Sequence, residues 1–227
     1  MTIVTHHTLH LTGLRFVRAA RVRLWKGEAV LRSGGVTVPL KAGESFAVPA
    51  FIRFSCQTLS AGRPAMWSLA LESGSDAMQA VSDCSKPWSR DLAQLIFAEP
   101  ALQWTAAHVA EHWQIPTQKV RARLFAEGES LRSLLREQRV AHAFYRLACI
   151  DAGDSEPVLH AASHSEEAQH VASGFVSAAA LADACLDTIG LPPDILQRAI
   201  SLWPAAPSPP PSAPHSERSS PRYRLYF

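Results

Sequence analysis

Apolar and polar residues alternate along much of the first third of the chain, which is the pattern of half-buried β-strands. The segment VTVPL (36–40) places its valines and leucine on one face. Pro39 on the opposite face is typical of an edge strand, since proline cannot donate a ladder hydrogen bond. The segments ESFAVP (44–49), IRFSCQ (52–57) and AMWSLALE (65–72) predict further strands. Strands this short and close together predict a small antiparallel roll or barrel.

From Trp88 onward the pattern becomes helical, with segments rich in Ala and Leu and poor in β-branched residues. Prolines at 100, 116 and 157 mark expected helix boundaries. The predicted fold class is therefore α+β, a small β-rich unit followed by an all-α unit. The predicted boundaries are a β-rich regulatory or dimerisation domain at 1–75, a linker at 76–88, a helical domain at 89–200, and a disordered Pro/Ser-rich tail at 201–227.

Composition narrows the class of protein. Hydrophobic residues make up 47% of the 227 positions and charged residues 19%, which is ordinary for a globular protein. No apolar run approaches the roughly 20 residues that span a bilayer, so we expect no membrane segment. The four cysteines include no CxxC pair, which favours reduced thiols and a cytoplasmic location over a disulfide or zinc framework.

Charge is unevenly distributed although the net charge is only +2. Residues 1–87 carry ten basic against five acidic side chains, and residues 88–146 carry eight against six. Residues 147–200 carry one basic against eight acidic side chains, a local charge of −7. A segment this acidic repels phosphate, so any nucleic-acid contact must avoid most of it.

The segment from Trp104 to Leu131 predicts a helix, a sharp turn and a second helix. Thr105 can cap the first helix, whose inward positions include Val109 and Ala110. After a turn near residue 114, the second helix begins at Pro116–Thr117 and runs to about residue 127. Val120 and Leu124 are four residues apart, so both would pack against the first helix.

The opposite face of this second helix is polar and basic. A helix held in this way can enter the major groove of DNA with its N-terminal half against the bases. Glutamine can pair with adenine and arginine with guanine through two hydrogen bonds each, so we predict base reading by Gln118, Lys119 and Arg121. Phosphate contacts are predicted for Thr117, Arg123, Arg132 and Arg136.

These motifs resemble a known family. Residues 90–148 are similar to the first half of the DNA-binding domain of AraC/XylS transcription regulators, through Trp104–Thr105, Val109–Ala110, Arg123–Leu124 and Glu127–Gly128. Residues 172–198 resemble its second helix-turn-helix, through Gly174–Phe175, Leu181, Gly190 and Pro193. The resemblance implies two motifs set to reach successive major grooves. The segment LKAGESFAVPAFIRFSC (40–56) resembles a step in the cupin-like sensor domains that precede such regulators.

The second motif departs from the family. Its reading helix is expected at Val176–Asp187, with Ala178, Ala179, Ala182 and Asp183 facing the groove. Alanine offers no hydrogen bond to a base, and aspartate repels phosphate. We therefore predict that the second motif does not read DNA and instead supports the fold or binds protein.

Enzyme and metal chemistry find little support. His108 and His112 are four residues apart, but no third ligand with suitable spacing follows, so exposed helix residues are the better interpretation. Residues 41–72 contain no histidine, unlike metal-binding cupins. No nucleophile–base pair or phosphate-binding loop is evident. We expect no catalysis, no metal and no cofactor.

Two hypotheses for function remain. The first is a bacterial, sequence-specific regulator of transcription that binds double-stranded DNA mainly through its first motif and acts as an activator, as the resemblance implies. The alternative is a co-regulator that works by contact with RNA polymerase or a regulatory protein and has weak or no DNA binding of its own. The sequence leaves homodimer formation, the operator and the effector open.

Overall fold

The computed structural model describes residues 2–5, 8–59, 64–72, 86–149 and 170–201 of the chain. Most of the predicted linker (76–85) and the predicted tail from residue 202 lie outside the described residues.

The N-terminal part is built from antiparallel β-strands, as predicted. Their bounds are β1 Thr2–Thr5, β2 His10–Leu14, β3 Ala20–Lys26, β4 Glu28–Ser33, β5 Val36–Lys41, β6 Ser45–Val48, β7 Phe54–Leu59 and β8 Ala65–Leu71. They form two four-stranded sheets, with strand orders β1-β8-β3-β6 and β2-β7-β4-β5. All strand pairs in both sheets are antiparallel.

The position of Pro39 confirms the predicted edge strand. Strand β5 pairs only with β4 among the described strands and lies at the edge of its sheet, with Pro39 opposite Val30 and exposed. Leu40 is buried while Val36 is exposed, so the predicted apolar face is covered only at one end. The strand predicted at 52–57 begins only at Phe54, and Ile52, which precedes it, is exposed.

The C-terminal part is helical. The helices are α1 Pro87–Ala98, α2 Ala106–His112, α3 Thr117–Ala126, α4 Leu131–Cys149, α5 Ala178–Ile189 and α6 Pro193–Ser201. The α+β fold class is thus confirmed. Helix α5 begins two residues later than predicted, because Ser177 rather than Val176 stands at its start and accepts a hydrogen bond of 3.1 Å from the backbone N–H of Ala180.

Two buried clusters cross between the sheets and the helices. The larger one unites the inner faces of both sheets, including Trp67 and Leu31, with Phe144 of α4 and with Leu181 and Ile189 of α5. Helix α4 and the second motif therefore pack on the β-sheets. The smaller cluster is the core of the first motif, and it contains two residues from the β-rich part.

Candidate nucleic-acid interface

The first motif is fixed by a cap and by a shared apolar seam. The Thr105 side chain accepts a 3.1 Å hydrogen bond from the backbone N–H of His108, which confirms the predicted cap of α2. Val109 on α2 is fully buried, as are Val120 and Leu124 on α3. The turn between the helices passes through a left-handed backbone conformation at Gln114 (φ 52°). The motif is therefore helix, tight turn, helix, as predicted.

The outward face of α3 is free for a ligand. Thr117, Gln118, Lys119 and Arg121 are all exposed in its first turns. Among the described residues, no side chain forms a hydrogen bond or ion pair with Gln118, Lys119 or Arg121. The structure thus brings the three predicted base-reading residues together on one accessible surface.

Arg123 has a different environment from its neighbours on α3. Its guanidinium carbon lies 3.6 Å from the centre of the Trp88 ring, a stacked cation–π contact, and its Nη1 atom is buried. Trp88 in turn packs edge-on against Trp113, whose indole donates a 2.7 Å hydrogen bond to Asp91. Arg123 is therefore part of the contact that joins α3 to α1.

The end of α3 also holds the start of α1. The Glu127 carboxylate accepts hydrogen bonds from the backbone N–H groups of Trp88 (3.1 Å) and Ser89 (2.7 Å). A carboxylate in this place satisfies two N–H groups that helix α1 cannot satisfy itself and complements its dipole. Helix α3 is consequently anchored at its C-terminal end as well as along its apolar seam.

Helix α4 carries the two remaining predicted phosphate contacts, and they differ. Arg132 is exposed at the start of the helix. Arg136, one turn later, forms a 3.0 Å ion pair with Asp187 of α5. The pair spans the space between the two motifs, so an acidic residue of the second motif already neutralises Arg136.

A groove of about 1080 Å³ separates α3 from α5. Its lining includes Arg121 of α3, Arg132 and Leu135 of α4, and Phe175 and Asp183 of the second motif. Asp183 is exposed and has no ion-pair partner among the described residues. Helices α3 and α4 thus present arginines to this groove, and helix α5 presents aspartates.

The predicted groove-facing positions of α5 differ in exposure. Ala179 and Asp183 are exposed, whereas Ala178 and Ala182 are half-buried, and all three alanines line a small pocket with Pro193 of α6. That these positions would face a DNA groove stays a prediction. The exposed face of α5 still offers no basic side chain: its exposed residues are Ala179, Asp183, Leu186 and Asp187.

Half-buried polar groups on α4 include one that binds the loop between α1 and α2. Arg139 donates hydrogen bonds to the backbone carbonyl oxygens of Pro100 (2.8 Å) and Leu102 (3.1 Å). Burial lowers the pKa of Arg139. One turn further along α4, burial and the charge of Arg146 lower the pKa of His142 to about 4, so His142 is neutral near pH 7.

Sequence reasoning missed a buried ionic cluster at the junction of the sheets and helices. Arg15, between β2 and β3, forms ion pairs with Glu129 and Glu137. Arg53 also binds Glu137, at 2.9 Å, and Lys86 binds Glu129, at 3.0 Å. The one available signal was an arginine between Leu14 and Phe16, since a charged residue within an apolar run needs a partner when it is buried.

The structure also shows the environments of the histidines, cysteines and helices that bear on metal binding, thiol chemistry and membrane insertion. Within them, no group of three or more His, Cys, Asp or Glu side chains is placed to hold a metal ion. His108 packs edge-on against Trp104, with ring centres 5.1 Å apart. Burial raises the pKa of the Cys56 and Cys185 thiols to about 12, which makes both poor nucleophiles. No helix in the described part is long and apolar enough to cross a membrane.

Comparison with known proteins shows the fold alone. No protein family and no curated protein matches the sequence. The structure is similar to ToxT from Vibrio cholerae, with a TM-score of 0.62 and 11% identity over 88% of this chain and 98% of that one. ToxT bound to an unsaturated fatty acid gives a TM-score of 0.59 at 12% identity, over 88% of this chain and 95% of that one. The chain thus has the two-domain fold of ToxT.

Proposed function

We propose that the protein is a sequence-specific, DNA-binding regulator of transcription that reads DNA through its first motif alone and acts as an activator. The observation that carries the proposal is the exposed, unpartnered group Gln118, Lys119 and Arg121 on a helix anchored on its opposite face and at its end. Such a surface can enter a major groove without any rearrangement of the motif.

The side chains best placed to contact phosphate are those that have no partner within the protein. Thr117 and Arg132 are exposed and flank the reading face, so we assign them to the DNA backbone. The exposed Lys119 was predicted as a base reader, but its ammonium neutralises phosphate whatever the base, so we assign it to the backbone as well. Arg123 stacks on Trp88 and Arg136 pairs with Asp187, so each must leave an internal partner before it can contact phosphate. They are secondary members of the interface in this proposal.

The proposal is tested by selecting binding sites from a random duplex pool with the purified chain. A shared sequence recovered by the parent protein and lost by the Arg121→Ala variant supports DNA reading by α3. Recovery of no shared sequence at low and moderate salt would instead favour the co-regulator hypothesis. One observation supports that second function: the Phe125 side chain on α3 is 84% exposed, as is common at protein-binding surfaces.

Lys119→Ala should weaken binding to the selected site and to random DNA alike. Lysine is a point charge that neutralises phosphate whatever the base, so the slope of log K against log salt should fall by about 1. Lys26→Ala is the matched control, because Lys26 is also exposed but lies at the end of β3. An unchanged slope in the Lys119 variant, measured by fluorescence anisotropy across a salt series, removes this side chain from the interface.

Asp183→Arg should tighten DNA binding by about threefold or more at low salt. The change replaces a negative charge in the groove beside Arg121 and Arg132 with a positive one. Asp194→Arg makes the same charge change in the same acidic segment, but Asp194 lies on α6 outside this groove and should alter affinity little. Weaker binding of the Asp183 variant would mean that α5 contacts DNA as it stands.

A further inference from the structure

The β-rich part contributes directly to the core of the first motif. Val17 and Phe51 are buried in the same cluster as Leu92 of α1, Val109 of α2 and Leu124 of α3. Phe51 holds a left-handed backbone conformation (φ 64°), which is uncommon for a bulky residue and persists only where the surroundings impose it. Helix α3 therefore shares its core with two loops of the β-rich part, one between β2 and β3 and one between β6 and β7.

Arg15 packs against Phe51 of this cluster. Its guanidinium carbon is 4.1 Å from the centre of the Phe51 ring, and its backbone carbonyl accepts a hydrogen bond of 3.3 Å from the side chain of Gln138 on α4. Arg15 is only 2% exposed. A buried arginine in this place needs carboxylates, and both of its carboxylate partners come from the helical part.

The first partner, Glu129, is tied to the end of the reading helix. Its backbone N–H donates a 2.8 Å hydrogen bond to the carbonyl of Leu124, across the turn that closes α3. Its carboxylate accepts a 2.9 Å hydrogen bond from Arg15 Nη1. Burial by itself raises the pKa of Glu129, but hydrogen bonds from Arg15 and Lys86 and their charges lower it below its usual value. Glu129 is therefore held as a carboxylate.

The second partner, Glu137, lies on α4 and is bound by the other terminal nitrogen of Arg15. One planar guanidinium thus bridges the end of α3 and the second turn of α4, which a single-point ammonium cannot reproduce. We propose, on the basis of the proposed function, that Arg15 is a positioning residue for DNA reading: it fixes the angle of α3 to α4 from within the β-rich part.

Because the ionic cluster contains other cations, we expect that loss of Arg15 changes the position of α3 without unfolding the protein. If Arg15 is lost, Glu137 keeps Arg53 and Glu129 keeps Lys86. Neither carboxylate is left as an unpaired buried charge, so the fold should survive. Arg53 also reaches Glu129, but at 3.8 Å and with a side chain that is 55% exposed, and Lys86 pairs with Glu129 alone. Both hold the two elements together more weakly than the buried Arg15 does, so the position of α3 should be less well defined.

The test compares Arg15→Met with Arg21→Met in the full chain. Arg21 is the control. It lies on β3, pairs with Glu72 at the surface and is not a member of the ionic cluster. The readout is the ratio of affinities for the selected site and for random DNA. Partial unfolding lowers both affinities in proportion and leaves the ratio unchanged, whereas a misplaced reading helix lowers the ratio.

We expect the ratio to fall about tenfold in Arg15→Met, the size of one lost base contact, and to stay constant in Arg21→Met. Arg15→Lys should give an intermediate loss, and it takes the place of Arg15→Met if that variant does not fold. A ratio that remains within about twofold of the parent in a folded Arg15 variant would overturn the proposal.

Amide hydrogen exchange makes this inference independent of DNA. Arg15→Met should lose protection in α3 and in the turn that follows it, by about tenfold, while the exchange of β3 and β8 is unchanged. If the parent protein shows no preference for any DNA sequence, the proposed function fails and exchange alone decides the positioning role. Equal protection of α3 in the parent protein, in Arg15→Met and in Arg21→Met would then overturn the positioning role of Arg15.

Discussion

Gln118→Ala and Arg121→Ala should each cost about 1–3 kcal/mol of binding free energy at the selected site. Both side chains are exposed on the reading face, where arginine can form two hydrogen bonds with guanine and glutamine two with adenine. Affinity for random DNA should fall much less with Gln118→Ala, because glutamine carries no charge. The measurement is anisotropy with the selected duplex and a scrambled duplex at one fixed salt concentration.

Stability gives the internal control for these two variants. Neither side chain bonds to another described residue, so the free energy of unfolding should change by less than about 0.5 kcal/mol. Arg18→Ala is the matched substitution, because Arg18 is exposed in the β-rich part, and it should change neither binding nor stability. If the Gln118 and Arg121 variants both bind the selected site like the parent, α3 is not the reader.

Gly174→Ala should be the most destabilising single-methyl change in the second motif, by about 3 kcal/mol. Gly174 has a left-handed backbone (φ 77°), and a Cβ there would overlap the carbonyl oxygen of Pro100 and approach its carbon to 2.7 Å. That carbonyl already binds Arg139, so the loop cannot retreat without breaking the hydrogen bond. Urea denaturation followed by circular dichroism measures the loss.

Gly128→Ala separates the cost of a left-handed backbone from the cost of the steric overlap. Gly128 has nearly the same backbone angle (φ 71°), but no atom lies within 4 Å of a Cβ at this position. It should therefore cost only the backbone preference, about 1 kcal/mol. Equal losses in the two variants would mean that the contact between Gly174 and Pro100 adds nothing to the docking of the second motif.

The first motif could be predicted from sequence because its determinants are local. Thr105 caps a helix whose buried residue Val109 lies four positions further on, and Val120 and Leu124 show the same spacing in the next helix. Each of these signals lies within one or two turns of the structure that it specifies. The edge position of Pro39 could be predicted for the same reason, since a missing N–H is a property of the residue itself.

The ionic cluster could not be predicted because its members are distant in sequence. Arg15 and Glu137 are 122 residues apart, and nothing near either one indicates the other. Periodicity likewise could not decide where α5 begins. Val176 is 91% exposed and precedes the helix, whereas Ser177 caps the helix by accepting a hydrogen bond from the backbone N–H of Ala180. Cap geometry and long-range pairing decided these features.

Methylation protection of guanine N7 on the selected site distinguishes one DNA-reading motif from two. Two motifs that both read DNA from one face would protect two groups of guanines about 10 base pairs apart, one helical turn. The acidic face of α5, with Asp183 and Asp187 exposed, predicts a single protected group within one major-groove segment. Two protected groups, the second of them lost in Asp183→Arg, would contradict the account.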